Sequence, residues 1–233
     1  MSNWQLAIES SGRTGSVALL DGDQLINEIS LPTTQRTAAT LSVAMDTLLG
    51  EMRKVAGSLQ LVSVTIGPGS FTGLRIGVTA AKTLAYAMNC RVAAIDTLSV
   101  IAHQAFSARP SQQRLLVGTK AYRGQVFTRI FLAGGSQSEP AEVLSGEQWE
   151  SKLTSLDGDW AVAGDALPRL DEPPTDRFSE KYFRVDAAIG HPRAATVGRL
   201  GAEAKRAGTT IDPLFLVPDY MRPSAAEEKW NGD

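Results

Sequence analysis

Short apolar runs of strand length, broken by turn residues, open the chain. Trp4 to Glu9 and Ser16 to Leu20 read as strands, and Gln24 to Leu31 follows the turn-forming run Asp21-Gly22-Asp23, which predicts an antiparallel meander. The pattern then changes. Leu41, Ala44, Met45, Leu48, Leu49, Met52 and Val55 recur at three-and-four spacing, so an amphipathic helix is expected from Leu41 to near Gly57. Leu61 to Ile66 carries Val62, Val64 and Ile66 at period two and runs into Gly67-Pro68-Gly69, which no helix interior tolerates, and therefore reads as a strand. A second helix is expected over Thr72 to Met88, a strand over Arg91 to Ile95, and a short connecting helix over Leu98 to Phe106.

The second half repeats this order. Arg114 to Thr119, Gln125 to Leu132 and Glu142 to Leu144 read as strands. Ser145, with Gln148 three residues on, forms a capping box opening a helix to Leu156. A strand at Trp160 to Ala163 and a helix at Ala194 to Ala207 complete the copy. Two copies of βββαβα, each a mixed sheet flanked by helices, give an α/β class and the plan of the actin-like (ASKHA, RNase H-like) folds. Two lobes follow, residues 1–107 and 108–233, joined at Ser107 to Gln113. Asp171 to Ser179 is expected to be a surface loop and Ser224 to Asp233 a polar tail.

The chain has 233 residues, 43% hydrophobic and 21% charged, as expected of a globular protein. With 23 Lys and Arg against 25 Asp and Glu, its net charge of -2 leaves no overall basic field to grip nucleic acid, so any tRNA contact is expected to be indirect. Cys90 is the single cysteine, which excludes an intrachain disulfide, and with only His103 and His191 beside it no Cys/His zinc site is expected. Met1 to Ser11 lacks the basic flank and long apolar core of a secretory signal, and no apolar run approaches the roughly 20 residues that cross a bilayer. A cytoplasmic protein without a membrane partner is expected.

The segment Gly67-Pro68-Gly69-Ser70-Phe71-Thr72-Gly73-Leu74-Arg75-Ile76-Gly77 joins a strand to a helix, where glycine-rich loops commonly cradle phosphate. Neither known template fits. A dinucleotide fingerprint needs glycine at Thr72, and a P-loop beginning at Gly67 needs Gly-Lys where Thr72-Gly73 stand. The helix that follows is unusual in its own right. Gly73, Gly77, Ala81 and Ala85 lie four apart on one face, a stripe of small residues that admits a close backbone. Arg75, Thr79, Lys82, Tyr86 and Asn89 form a narrow polar ridge, and the wide apolar arc fits either burial beside the sheet or a protein interface.

GPGSFTGLRIG resembles the signature of the TsaB (YeaZ) family, a bacterial partner in making threonylcarbamoyladenosine (t6A) on tRNA. LAIESSGRTGSVALL resembles that family's first hairpin, AIDTLSVIA its helix after a strand, and VPDYMRPSAAEEK its terminal Tyr-x-Arg segment. The resemblance spans Leu6 to Lys229 and weakens in the second half. It implies a duplicated actin-like fold that has given up catalysis, with no catalytic residue, metal or cofactor of its own. The chain would be a platform for a TsaD-type catalytic subunit that transfers threonylcarbamoyl to the adenosine beside the anticodon. ATP and threonylcarbamoyl-adenylate would be handled by partner subunits, a TsaE-type ATPase among them, and the chain alone would form a homodimer. The interface implied comprises Phe71, Thr72, Gly73, Leu74, Arg75, Gly77, Val78, Ala81, Leu84 and Ala85, with Met45 and Leu48 on the preceding helix. Gly67, Pro68, Gly69 and Ser70 are the motif turn, and Glu9, Ser10, Ser11 and Gly12 are candidate vestigial nucleotide contacts.

Departures from the family pattern accompany these matches. Glu9 stands where the family has aspartate, and Arg36-Thr37-Ala38 lies where a His-Ser pair begins the first helix. The middle Asp-Ala-Arg-x-Gly-Glu-Val-Tyr pattern reads Lys120-Ala121-Tyr122-Arg123-Gly124-Gln125-Val126-Phe127, with both acids lost. The alternative function is a stand-alone actin-like ATPase or sugar-kinase-like enzyme, in which Glu9 and the loop Ser10 to Ser16 would meet phosphate and Gly164-Asp165 would be a remnant of a second loop.

Overall fold

The computed structural model describes residues 3–32, 37–54, 58–137, 139–167, 182–186 and 189–221. The expected loop at Asp171 to Ser179 and tail at Ser224 to Asp233 lie outside them. The chain divides into two compact units, Met1–Thr97 with Arg193–Asp233, and Leu98–Pro192.

Strands β1 (Trp4–Glu9), β2 (Ser16–Asp21), β3 (Gln24–Ser30), β4 (Leu61–Gly67) and β5 (Arg91–Asp96) form the first sheet, in the order β3-β2-β1-β4-β5. β1, β2 and β3 pair antiparallel, whereas β4 lies parallel to both β1 and β5. Period-two alternation sends Leu6, Ile8, Val17, Leu19, Val62 and Val64 to one face, where they pack with Leu41 and Leu48 of helix α1 (Thr37–Lys54) and Val78, Ala81 and Ala85 of α2 (Phe71–Ala87). These side chains are buried, and the core is continuous across strands and helices. Helix α1 begins four residues before the expected Leu41 because Thr37, Ala38 and Thr40 are polar or small and carry no apolar periodicity.

The opposite face of this sheet presents Gln5, Ser16, Leu20 and Ser63 to helix α5 (Ala194–Arg206). Gln5 Nε2 donates to the carbonyl of Gly198 at 2.9 Å, and Ser16 Oγ accepts the Ala194 amide at 2.9 Å. A Cβ at Gly198 would run into Leu20, and one at Gly201 into Ser63 Oγ, so small residues let α5 lie directly on the strands.

The second sheet contains β6 (Arg114–Lys120), β7 (Val126–Leu132), β8 (Glu142–Leu144), β9 (Ala161–Ala163) and β10 (Phe183–Arg184), in the order β10-β9-β6-β7-β8. Its pairing repeats that of the first, antiparallel through β6, β7 and β8 and parallel through β6, β9 and β10. Helix α3 (Thr97–Ala108) packs Leu98, Ile101, Ala102 and Ala105 on one face of it, while α4 (Gly146–Thr154) packs Trp149 and Leu153 on the other. The predicted capping box is present, with Gln148 N donating to Ser145 Oγ and Ser145 N to Gln148 Oε1.

Two mixed sheets of the same strand order, each flanked by helices, are the duplicated actin-like plan expected from the sequence. The division of helices differs. The expected boundary at Ser107 to Gln113 falls after α3, but α3 packs on the second sheet, and α5, assigned by sequence order to the second copy, packs on the first.

Candidate functional site: the glycine turn and the outer face of α2

Two segments converge where β1 and β4 end. Ser70 N donates to the carbonyl of Ser11 at 2.8 Å, and Ser10 Oγ donates to the carbonyl of Gly73 at 2.9 Å. Ser70 caps α2 by accepting the Gly73 amide at 3.2 Å. Each glycine of the motif answers a close approach. A Cβ at Gly69 would meet Ser11, at Gly73 the carbonyl of Ser10, and at Gly77 the hydroxyl of Ser10. Gly67 has φ 141° and its missing side chain leaves room for the carbonyl of Asp219. The turn thus locks the first-strand loop to α2, and the Ser70 and Gly73 amides that could meet a phosphate already donate within the chain.

Glu9, at the end of β1, points inward. Its Oε1 accepts the Ser11 amide at 2.7 Å and the Ser11 hydroxyl, with Thr65 Oγ1 at 3.5 Å, while Oε2 has no hydrogen-bond partner. Burial raises its pKa from 4.5 to about 7, against the opposing pull of the Ser11 bonds. Ser10 and Ser11 are buried with it and Gly12 is half-buried, so Glu9, Ser10 and Ser11 are structural ties of the turn in this unit.

The small-residue stripe is corrected by the structure. Gly73, Leu74, Gly77, Val78, Ala81 and Ala85 are buried inside the chain's own first unit, as is Leu48 of α1. At the two glycines of the stripe the close neighbour is Ser10, through its carbonyl at Gly73 and its hydroxyl at Gly77. Of the predicted polar ridge, Arg75, Thr79, Tyr86 and Asn89 face solvent and Lys82 is half-buried; Thr72 is exposed as well, while Phe71, Ile76, Leu84 and Met45 of α1 are half-buried. Tyr86 is 69% exposed, and Val43 of α1 67% exposed.

A segment that sequence reasoning did not place here runs along α2. Val92 and Ile211 exchange backbone hydrogen bonds at the edge of β5, Lys82 Nζ donates to the carbonyls of Leu214 (2.9 Å) and Leu216 (3.4 Å), and Asp219 N donates to the carbonyl of Ile66 at 2.8 Å. Leu216 enters the first core while Leu214, Phe215 and Val217 stay exposed. The segment ends with Tyr220 stacked on Phe71, ring centroids 4.5 Å apart, and Arg75 lies over the same Phe71 ring at 5.4 Å. The apolar cluster Leu214-Phe215-Leu216-Val217 was the available signal, and its four-residue length without periodicity concealed it.

His103 and His191 are both half-buried in the second unit, and among the described residues no group of three or more His, Cys, Asp or Glu could hold a metal. Asp165 accepts the Lys120 amide through Oδ1 at 2.8 Å, so Gly164-Asp165 closes a turn against β6.

A family model described as TsaD, tRNA N6-adenosine threonylcarbamoyltransferase, matches residues 32–147. The "tRNA threonylcarbamoyladenosine biosynthesis protein TsaB" of Bacillus subtilis is 31% identical over 228 residues, covering 97% of this chain and 96% of that one. The chain belongs to the TsaB family. The TsaB protein of Escherichia coli is 24% identical over 233 residues, covering 97% and 98% of the two chains. The solved structure of YeaZ from Pseudomonas aeruginosa superposes with a TM-score of 0.75 at 22% identity, covering 94% of this TsaB-family chain and 100% of that one, so the fold is shared as well. A part in t6A biosynthesis follows from membership. Among the described residues no helix is long and apolar enough to cross a membrane.

Proposed function

We propose that this chain is the non-catalytic platform subunit of a complex that transfers threonylcarbamoyl to N6 of the adenosine beside the tRNA anticodon, and that it binds a TsaD-type catalytic subunit through the outer face of α1 and α2. The observation that carries the reading is the direction of the glycine motif. Its small residues are consumed in fixing α2 to the sheet, which leaves Thr72, Arg75, Thr79 and Tyr86 exposed along α2, with Phe71 and Met45 of α1 half-buried. Rigid presentation lowers the ordering cost of association, and aromatic and arginine side chains are those that anchor interfaces.

The same face serves self-association when the chain is alone, and a TsaE-type ATPase is a further member of the complex. The chain needs no cofactor of its own, ATP and threonylcarbamoyl-adenylate being handled by its partners in the cytoplasm. The inward carboxylate of Glu9 supports a structural rather than a phosphate-handling part for the turn.

The test is a reaction reconstituted from a TsaD-type subunit, its ATPase, the adenylate-forming enzyme and unmodified tRNA, with t6A scored by mass spectrometry. Product that depends on adding this chain is expected. Equal product in its absence would overturn the proposal.

A further inference from the structure

The β6–β7 hairpin carries features that the platform role does not use. Its tip is Ala121-Tyr122-Arg123-Gly124, closed by Ala121 N donating to the carbonyl of Gln125 at 2.8 Å. Arg123 adopts φ 59°, ψ 38°, the left-handed region that a glycine or asparagine would occupy at lower cost. Tyr122 is 64% exposed, and the Arg123 guanidinium lies over its ring at 5.3 Å from the centroid. Lys120, also exposed, is held at the base of the tip because its amide donates to Asp165.

Between Asp96 and Glu139 there is no acidic residue, while Arg109, Arg114, Lys120, Arg123 and Arg129 all fall in that stretch of a chain whose net charge is -2. Arg109 and Arg114 lie over Phe183 and Trp160. Lys120 and Arg123 are exposed at the hairpin, flanking an exposed aromatic ring. An exposed tyrosine ring with the Arg123 guanidinium over one face and the exposed Lys120 two residues before it, on a hairpin held by its ladder and by the Asp165 carboxylate, is the chemistry that takes an unstacked base and a neighbouring phosphate in single-stranded nucleic acid. Backbone strain kept at such a tip is a mark of a functional position.

We propose that the Lys120–Arg123 hairpin is a direct RNA contact, Tyr122 stacking on an unpaired base and Lys120 and Arg123 meeting phosphate. The choice of RNA over an acidic protein segment rests on the proposed function, in which the complex acts on a single-stranded tRNA loop. The hairpin supplies one local contact, in keeping with the chain's small net charge.

The test uses the full chain and a fluorescently labelled unmodified tRNA transcript, with anisotropy measured across a salt series. Tyr122→Ala is expected to weaken binding about tenfold or more. Arg123→Gly, which keeps the left-handed backbone, and Lys120→Gln are each expected to reduce the slope of log affinity against log salt by about 1. Backbone amide NMR shifts of residues 120–125 on adding the transcript report the site without mutation. Wild-type affinity and salt slope in all three variants would overturn the proposal, as would shifts at 120–125 produced by a TsaD-type subunit and not by tRNA. Because tRNA binding is read on the isolated chain, a t6A assay that does not depend on the chain overturns the platform reading separately.

Discussion

The hydroxyl of Ser10 occupies the space into which any side chain at Gly77 would project. Ser10 Oγ donates to the carbonyl of Gly73 one turn earlier, so it is held in that space. The two residues are 67 positions apart, and their contact fastens the loop after β1 to α2.

Gly77→Ala therefore overpacks a filled site and is expected to lower stability by about 1–3 kcal/mol in urea unfolding. Ser10→Ala alone loses one buried hydrogen bond, about 1 kcal/mol. In the double variant the clash with Oγ is gone, so the two losses should fall short of additive. Additive losses would show that Ser10 and Gly77 do not compete for the same volume. Gly77→Arg is expected to abolish folding of this unit, a stronger effect than the loss of an interface.

Glu9 makes stability depend on pH. Its folded pKa of about 7 lies above the unfolded value of 4.5, so the native state holds a proton that the unfolded chain releases. That contribution is complete below pH 4.5 and is lost as pH rises through about 7. For a shift of this size the loss amounts to roughly 3 kcal/mol for a fully buried group. Glu9→Gln removes the titrating group, so the gap between wild type and variant should change across this window in favour of the variant at higher pH. Parallel stability curves from pH 4 to 8 would show that Glu9 is not the group responsible.

How far the sequence reveals these relations depends on which physical cue each one uses. Apolar runs, helical spacing and turn signals locate β1 to β9 and all five helices, although β1, β2 and β9 are buried on both faces and so show no polar side in the sequence. β10 has two residues, too few for any period, although pairing with β9 gives the second sheet the strand order of the first. Periodicity shows that α5 has an apolar face but not which sheet it covers, and Gly198 and Gly201 reveal only that some backbone comes close. The same limit applies at α2. Its stripe signals a close neighbour, and Ser10 could be recognised as that neighbour only once β1 and β4 were placed side by side. The link from Tyr220 to Phe71 spans two motifs that the sequence presents separately.

The segment along α2 depends on a few ties. Lys82 holds the carbonyls of Leu214 and Leu216, and Tyr220 covers Phe71. Lys82→Met removes the hydrogen bonds while keeping most of the aliphatic stem, and Tyr220→Ala removes the stack. Each is expected to increase amide exchange at Leu216 and Asp219 with little change in the strands of the first sheet, since local opening does not require global unfolding. Exchange increased equally throughout the unit would mean that the segment is part of the global folding unit and not a separately opening strap.

Tyr86 lies on the exposed side of α2. It is 69% exposed, so Tyr86→Ala removes little packing and should leave the melting temperature of the isolated chain within about 2 °C of wild type. If the outer face of α2 is the docking surface, the same variant should bind a TsaD-type subunit at least tenfold more weakly, the loss expected when an aromatic anchor is truncated. Arg75→Ala should weaken binding further at low salt than at high salt, because an exposed charge contributes chiefly through screened attraction. Calorimetry at two ionic strengths reads both effects. Unchanged affinity in both variants would place the docking surface elsewhere while leaving the packing role of the glycine motif intact.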